Sequence, residues 1–403
     1  MQSWKGSFAA LLIAQTLAII GFSISQPVIP LFLEQDIGIT DPVRLKTWVG
    51  VLSSSAMLSM AIFAPIWGNL ADIFSRRAML LRALLGGSVI MSLMGFVTTP
   101  WQFLVLRILQ GAITGTVAAA TVLTAGLAPV AQVAFALGLL QTGIATGNSL
   151  GPMIGGLISD FLSYRAAFFS TGICLGLAGL IVLKWVREDP KPVNEGNKKK
   201  FTLIPNFRPV FSSPQLVTIM LVSLGLYTST SIAIPMLPLF IRDLVLGVSG
   251  EASLIASTTG LVLGIGAGFT AMAAVLMGRI STRIGYWRAL ILCLSAAAAL
   301  IFPQAFVSNV VQLTILRAAS SFFIGGAIPV LNAIVAVTAD KEHQGTVYGV
   351  KTSIVAAGSA LGPLIGSAAS MLGLRLIFIA SALVLSLAVL GAVWRRSRLE
   401  VRV

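Results

Sequence analysis

The chain has 403 residues, 57% of them hydrophobic and only 10% charged, and its mean hydropathy is +0.96. A soluble domain needs far more charge to cover its surface, so this composition excludes one and implies an integral membrane protein. The net charge of +14 does not imply nucleic-acid binding, because the basic residues gather in alternate loops and form no continuous face.

A bilayer core about 30 Å thick takes about 20 apolar residues in a helix. In chain order such runs lie near 7–33, 47–70, 78–98, 101–125, 133–158 and 165–185, and then near 214–240, 252–277, 288–306, 309–337, 346–370 and 374–394. The first run is too long for a cleaved signal segment and lacks its small-residue exit, so it reads as span 1. Residues 100–168 reappear about 210 positions later: Gln102, Arg107, Gly151, Pro152, Arg165 and Phe168 answer to Gln312, Arg317, Gly362, Pro363, Arg375 and Phe378. The expectation is an all-α membrane protein of twelve transmembrane helices in two pseudo-symmetric six-helix bundles. The bundles cover residues 1–185 and 214–403, and a polar cytoplasmic linker over 186–213 joins them.

Nineteen of the 27 Lys and Arg fall with the termini, the linker and the even-numbered loops, and five (Arg44, Lys46, Arg165, Arg242, Arg375) on the opposite side. The positive-inside rule therefore predicts two cytoplasmic termini, in a bacterial cytoplasmic (inner) membrane. Cys174 and Cys293 fall within apolar runs and read as free thiols. His343 is the single histidine and no His/Cys cluster exists, so neither a metal nor another cofactor is expected. No Walker-type phosphate loop and no nucleophile–base pair appears, which argues against ATP drive and against an enzyme.

Three segments carry motifs. Loop 2–3 runs Gly68-Asn-Leu-Ala-Asp72-Ile-Phe-Ser-Arg76-Arg77. The glycine allows a tight exit from span 2, and the acid followed by arginines supplies a charge cluster able to latch one conformation. Span 4 holds Arg107 with Gln110, and Thr114 and Thr121 follow at seven-residue intervals, so Arg107 is expected on a polar stripe. An intramembrane guanidinium normally faces the protein interior or a wet cavity. Span 5 carries Gly143, Gly147, Gly151 and Gly155 at four-residue spacing, with Gly156 following and Pro152 beside the third. That stripe lets another backbone approach closely.

Together these features resemble the major facilitator superfamily across the whole chain, and within it the twelve-span drug:proton antiporter group and its MdtG-like multidrug efflux proteins. Loop 2–3 departs from the signature at Ile73, where an Arg is usual, and at Ser75, where a Gly is usual. The span 5 segment resembles the antiporter signature, which is linked to drug efflux.

The resemblance implies two bundles rocking about a central site, with spans 1, 4, 7 and 10 lining a cavity and spans 2, 5, 8 and 11 forming the seam. Gln15, Phe22, Gln26, Gln110, Gln141, Asn148, Tyr227 and Asn332 are the candidate cavity residues, suited to lipophilic or amphipathic small molecules. Coupling is expected to protons, with Glu34 and Asp36 as protonatable partners of Arg107, since no Asp or Glu lies well inside a span. The partners expected are thus substrate, protons and the lipid bilayer, with the chain acting as a monomer. A sugar or lipid exporter of the same fold, and a non-transporting membrane sensor, stand as alternatives.

Overall fold

The computed structural model describes residues 4–73, 75–188, 213–249, 254–339 and 344–400. Eleven of its helical segments are long and apolar enough to cross a membrane, and Val133–Phe161, 29 residues long, makes twelve spans. Span 1 is Trp4–Ile24 continued by Ile29–Gln35, span 2 Pro42–Ile73, span 3 Arg76–Met94, span 4 Pro100–Ile113 continued by Thr116–Leu127, span 5 Val133–Phe161 and span 6 Tyr164–Trp185. Span 7 is Pro214–Ala233 continued by Leu237–Ser249. Spans 8 to 12 are Ile255–Ile284, Tyr286–Ile301, Val310–Thr338, Gln344–Leu372 and Leu376–Glu400. The expected linker falls mostly outside the described residues. An even number of spans puts both chain ends on one side, called here the terminus side; the other is the far side.

The internal repeat survives as matched contacts. Thr99 and Gln102 form a capping box at the start of span 4, and Asn309 accepts from the Gln312 N–H at the start of span 10 at 2.9 Å. Such caps satisfy N–H groups that a helix start leaves without partners. Arg165 donates to the Gly95 carbonyl at 2.8 Å and Arg375 to the Ala305 carbonyl at 3.1 Å, each tying span 6 or 12 to the neighbouring far-side loop. Phe32, Phe103 and Phe168 meet edge-to-face with centroids 5.0–5.6 Å apart. Phe240 and Phe378 do the same at 4.9 Å. Repetition of such details at one offset identifies two copies of a single bundle.

Two spans expected to be continuous are broken. Span 1 turns at residues 25–28, around Pro27, which lacks an N–H to continue the helix. Span 4 breaks at Thr114–Gly115, where Gly115 takes φ +141°, a conformation suited to glycine. The polar stripe Arg107–Thr114–Thr121 is therefore not one helical face. Thr114 instead bonds its own chain at the Gln110 carbonyl, 2.7 Å away.

The bundles meet along two seams, span 2 against span 11 and span 5 against span 8. Lys46 Nζ donates to the Ser370 carbonyl at 2.8 Å, Ser367 Oγ to the Lys46 carbonyl at 2.8 Å, and Ser54 Oγ to the Ala360 carbonyl at 2.6 Å. In the other seam Ser149 Oγ donates to the Gly264 carbonyl at 2.8 Å. The Asp160 carboxylate accepts from the Ala256 and Ser257 N–H groups at 3.3 and 2.6 Å. Glu34, at the tip of span 1, pairs with Arg242 of span 7. Every one of these bonds lies from mid-membrane toward the far side. Toward the terminus side a Cβ at Gly138 of span 5, Gly278 of span 8 or Gly349 of span 11 would meet nothing within 4 Å, so the described parts of the bundles are bonded together on the far side and leave open space at these glycines on the other.

Candidate transport site

Arg107 is 7% exposed. Its Nη1 donates to Gln110 Oε1 at 3.0 Å, its guanidinium lies 5.4 Å over the Phe103 ring, and its Nε has no partner. On span 4 it stands opposite Trp101, Val105, Ile108 and Leu109, whose large exposed side chains mark the lipid face. Arg107 thus projects inward. The expected pairing with an acid does not form: Glu34 is taken by Arg242 and Asp36 by Arg165 at 3.0 Å. Both acids sit at the span 1 tip beside far-side arginines, whereas Arg107 enters the membrane by seven residues, about 10 Å.

At mid-membrane Gln15 is buried, and its Nε2 lies 3.5 Å from Thr116 Oγ1 while its Oε1 has no partner. Gln15 and Gln26 do not share a face, because the turn at residues 25–28 intervenes and Gln26 is exposed there. Phe22 turns into the first bundle, toward Gly87 of span 3 and close to Thr114. Asn148 accepts from Ser23 Oγ at 3.2 Å. Gln141 and Asn148 lie on the side of span 5 between its contacts with span 1 and with span 8. They point away from the exposed Leu150, Ile154, Leu157 and Phe161, and so face the interior between the bundles. Tyr227 is half-buried in span 7, beside the Thr228 that packs under Gly358.

In the second bundle Asn332 is exposed, accepts from Lys351 Nζ, and through its carbonyl accepts from the Tyr348 hydroxyl at 3.0 Å. Lys351 is 7% exposed. Arg317 repeats Arg107 in span 10, its stem beside Gly266 of span 8. The embedded charges Arg107, Arg317 and Lys351 are all positive, and no ion pair among the described residues includes them.

The span 5 glycines divide their work. A Cβ at Gly143, Gly147, Gly151 or Gly155 would meet span 1 of the same bundle, in the last case 2.1 Å from the Ile24 carbonyl. The stripe therefore packs within its own bundle and does not form the seam. Gly156 meets the other bundle, with a Cβ 2.3 Å from the Ala256 carbonyl, and Gly260 of span 8 would meet the Pro152 carbonyl at 2.1 Å. Span 11 repeats the stripe: Gly358, Gly362 and Gly366 lie against span 7. An apolar cavity of about 300 Å³ between spans 5 and 8, lined by Ser149, Met153, Gly264, Phe269 and Met272 among others, opens on the lipid side of that seam, away from Asn148.

On the terminus side, the loop 2–3 arginines engage their own bundle. The Glu188 carboxylate accepts from Ser75 Oγ at 2.9 Å and from the Arg76 and Arg77 N–H groups at 3.3 and 2.9 Å. Arg76 reaches the Val122 carbonyl at 3.3 Å and Arg77 the Val182 carbonyl at 3.4 Å. An acid at the start of span 3 and cations near the ends of spans 4 and 6 both suit the helix dipole. The Gly68 and Asp72 side of the expected latch lies outside the residues whose side chains are described.

The Major Facilitator Superfamily sequence profile matches residues 11–310 and again 257–402. The chain belongs to the Major Facilitator Superfamily. It is 34% identical over 385 residues to Multidrug resistance protein MdtG of Klebsiella pneumoniae (strain 342), covering 94% of this chain and 91% of that one. The same protein of Rahnella sp. (strain Y9602) is 34% identical over 387 residues, covering 95% and 91%. The fold is similar to a crystal structure of a variant of nucleoside transporter NupG (TM-score 0.83, 12% identity, 96% and 99% covered). It is also similar to an inward-facing, unoccupied bacterial homologue of the human lysosomal transporter Spinster (TM-score 0.77, 14% identity, 97% of each chain).

Within this superfamily frame, sequence reading missed Asp160, Glu188 and Lys351. The two acids lie at span ends, where a charge is ordinary, and only the fold reveals the backbone N–H groups they bind. Lys351 carried an available signal, since a lysine inside the apolar run 346–370 is rare enough to be read as functional.

Proposed function

We propose that this protein exports small lipophilic or amphipathic compounds from the bacterial cytoplasm by alternating access, in exchange for protons, as a monomer. The observation that carries the reading is the one-sided bonding of the bundles: a sealed far side and an open terminus side, with polar side chains facing the interior between them. Two like-oriented bundles hinged at two seams can reverse this arrangement. The excess of Lys and Arg with the termini makes the terminus side cytoplasmic and the observed state inward-open. The relatives named for multidrug resistance and the Gly–Pro segment of span 5 favour efflux over uptake.

The register of the seam indicates how the opposite state is held. Residue numbers paired across spans 2 and 11 add to about 415 (Lys46 with Ser370, Ser54 with Ala360), as antiparallel helices require. When the cytoplasmic half closes, residue 72 comes level with the start of span 11, and a helix N-terminus attracts a carboxylate. Asp72 is thus the acid of the inner latch, and Arg76 and Arg77 brace it. Arg107, Arg317 and Lys351 make the interior positive, which disfavours cationic substrates and suits neutral or acidic amphiphiles.

Dye efflux in an efflux-deficient host, with the proton and sodium gradients collapsed separately, tests the reading. Efflux that stops when the proton gradient is collapsed supports it; efflux lost only with the sodium gradient, or no efflux of any dye, refutes it.

The far-side lock yields a further expectation. Asp160→Asn exchanges a charge-assisted acceptor at the span 8 N-terminus for a neutral one, weakening the lock by about 1–2 kcal/mol. The inward-open population should fall roughly tenfold relative to outward-open, read as faster labelling of a cysteine placed on the far-side half of the cavity.

A further inference from the structure

Lys351 stands seven residues into span 11, almost fully buried, and among the described residues its ammonium has one acceptor, the amide oxygen of Asn332. An ammonium carries three donors, so this group is poorly served for a charge held inside a protein. We propose that Lys351 is the group whose proton exchange with the cytoplasm couples transport to the proton gradient; this rests on the antiport reading above.

None of the thirteen Asp and Glu lies well inside an apolar run of the sequence. Asp160 and Asp243 lie at the far-side ends of their spans, and Asp243 is 56% exposed at its side chain. The guanidiniums of Arg107 and Arg317 do not deprotonate in proteins. The phenols of Tyr227 and Tyr348 and the thiols of Cys174 and Cys293 are neutral near pH 7 as a class. Lys351 remains: a lysine, unlike an arginine, readily gives up its proton when buried.

Its surroundings fit two protonation states. Span 10 presents Asn332 and no ionisable side chain to it, and the facing half of span 7 (Pro214–Tyr227) contributes Gln215 and Tyr227 but no charge. Span 11 itself adds the Tyr348 hydroxyl, which is held on the Asn332 carbonyl. Asp340, Lys341, Glu342 and His343 of the preceding loop, Asp72 of span 2 and the arginines ending span 12 lie outside the described side chains. An amide is a neutral partner that serves either form: its oxygen accepts from the ammonium, and after a flip its NH2 donates to the free amine. A carboxylate here would hold the charge permanently. The step balances as ammonium plus water giving amine plus hydronium, with no bond changed elsewhere.

Access alternates as coupling demands. In the observed state Gly349, in the cytoplasmic half of span 11, has open space where a Cβ would stand, and Asn332 is exposed beside Lys351. Closing that half brings residues near 64 level with Lys351, by the same register, and cuts it off from cytoplasmic water.

The test uses the purified full chain in vesicles loaded with a lipophilic fluorescent dye, comparing wild type with Lys351→Arg, Lys351→Gln and Asn332→Asp. Wild type should accumulate dye against its gradient when a pH difference is imposed. Lys351→Arg keeps the charge but cannot release the proton. It should melt within a few degrees of wild type and lose pH-driven accumulation at least tenfold. Asn332→Asp, which pins the ammonium, should lose the same drive and stay folded by thermal melting, so the result does not hang on one variant. Full pH-driven accumulation by Lys351→Arg or by Asn332→Asp overturns the assignment. Wild type driven by membrane potential or sodium alone also overturns it, while leaving export intact; wild type that moves no dye under any gradient sinks the export reading itself.

Discussion

Replacing Gly156 by leucine should drive the protein out of the inward-open state while leaving both bundles folded; the same replacement one residue earlier, at Gly155, should unfold the first bundle instead. The two glycines lie on different surfaces. A Cβ at Gly155 would stand 2.1 Å from the Ile24 carbonyl within its own bundle, and one at Gly156 would stand 2.3 Å from the Ala256 carbonyl of the other. Neither neighbour is a flexible side chain, so backbone must move, at about 1–3 kcal/mol per overpacked site or more. At Gly155 that cost falls on every conformation, because spans 1 and 5 belong to one rigid unit. At Gly156 it falls only where the far side is closed. The shift there should be tenfold or more in the ratio of states. Spin-label distances across the span 5–8 seam, in a background lacking Cys174 and Cys293, measure it, and thermal melting should show a loss for Gly155→Leu alone. Equal melting losses for both variants would sink this division of labour.

Arg107→Met should abolish transport, by tenfold or more, with thermal stability unchanged or raised. The guanidinium is buried with one neutral acceptor, Gln110 Oε1, an aromatic face, and an Nε without a partner. Removing an ill-paired buried charge in favour of an apolar chain of similar length is neutral or stabilising. A structural arginine tied to strong acceptors, as Arg165 is to the Gly95 carbonyl and the Asp36 carboxylate, would behave in the opposite way. Melting curves beside dye efflux separate the two, and a large melting loss for Arg107→Met would mark it as structural. Arg165→Met, the control, should melt several degrees lower.

Much of the architecture was legible before any coordinates. The twelve apolar runs, the two-bundle division and the shared landmarks from Gln102 to Phe378 all reappear in the fold. Within spans the reading failed where one residue changes the helix. Gly115 and the turn around Pro27 separate Arg107 from Thr121 and Gln15 from Gln26, although each pair sits at helical spacing. The site was less legible than the scaffold. Glu34 and Arg107 looked like partners because both belong to the far-side half of the first bundle, yet Glu34 reaches across to Arg242.

What the chain alone determined was the membrane class, the count of spans and their duplication. Lipid imposes these requirements one segment at a time, since each helix must satisfy its own backbone and expose apolar side chains whatever its neighbours do. Partner choice was left to the tertiary structure. Which bundle each span 5 glycine touches, which arginine each far-side acid takes, and which side of the molecule is sealed depend on contacts between residues 100 or more apart in sequence. The sealed side depends further on a small free-energy difference between two packings of the same helices, and no local pattern along the chain records that difference.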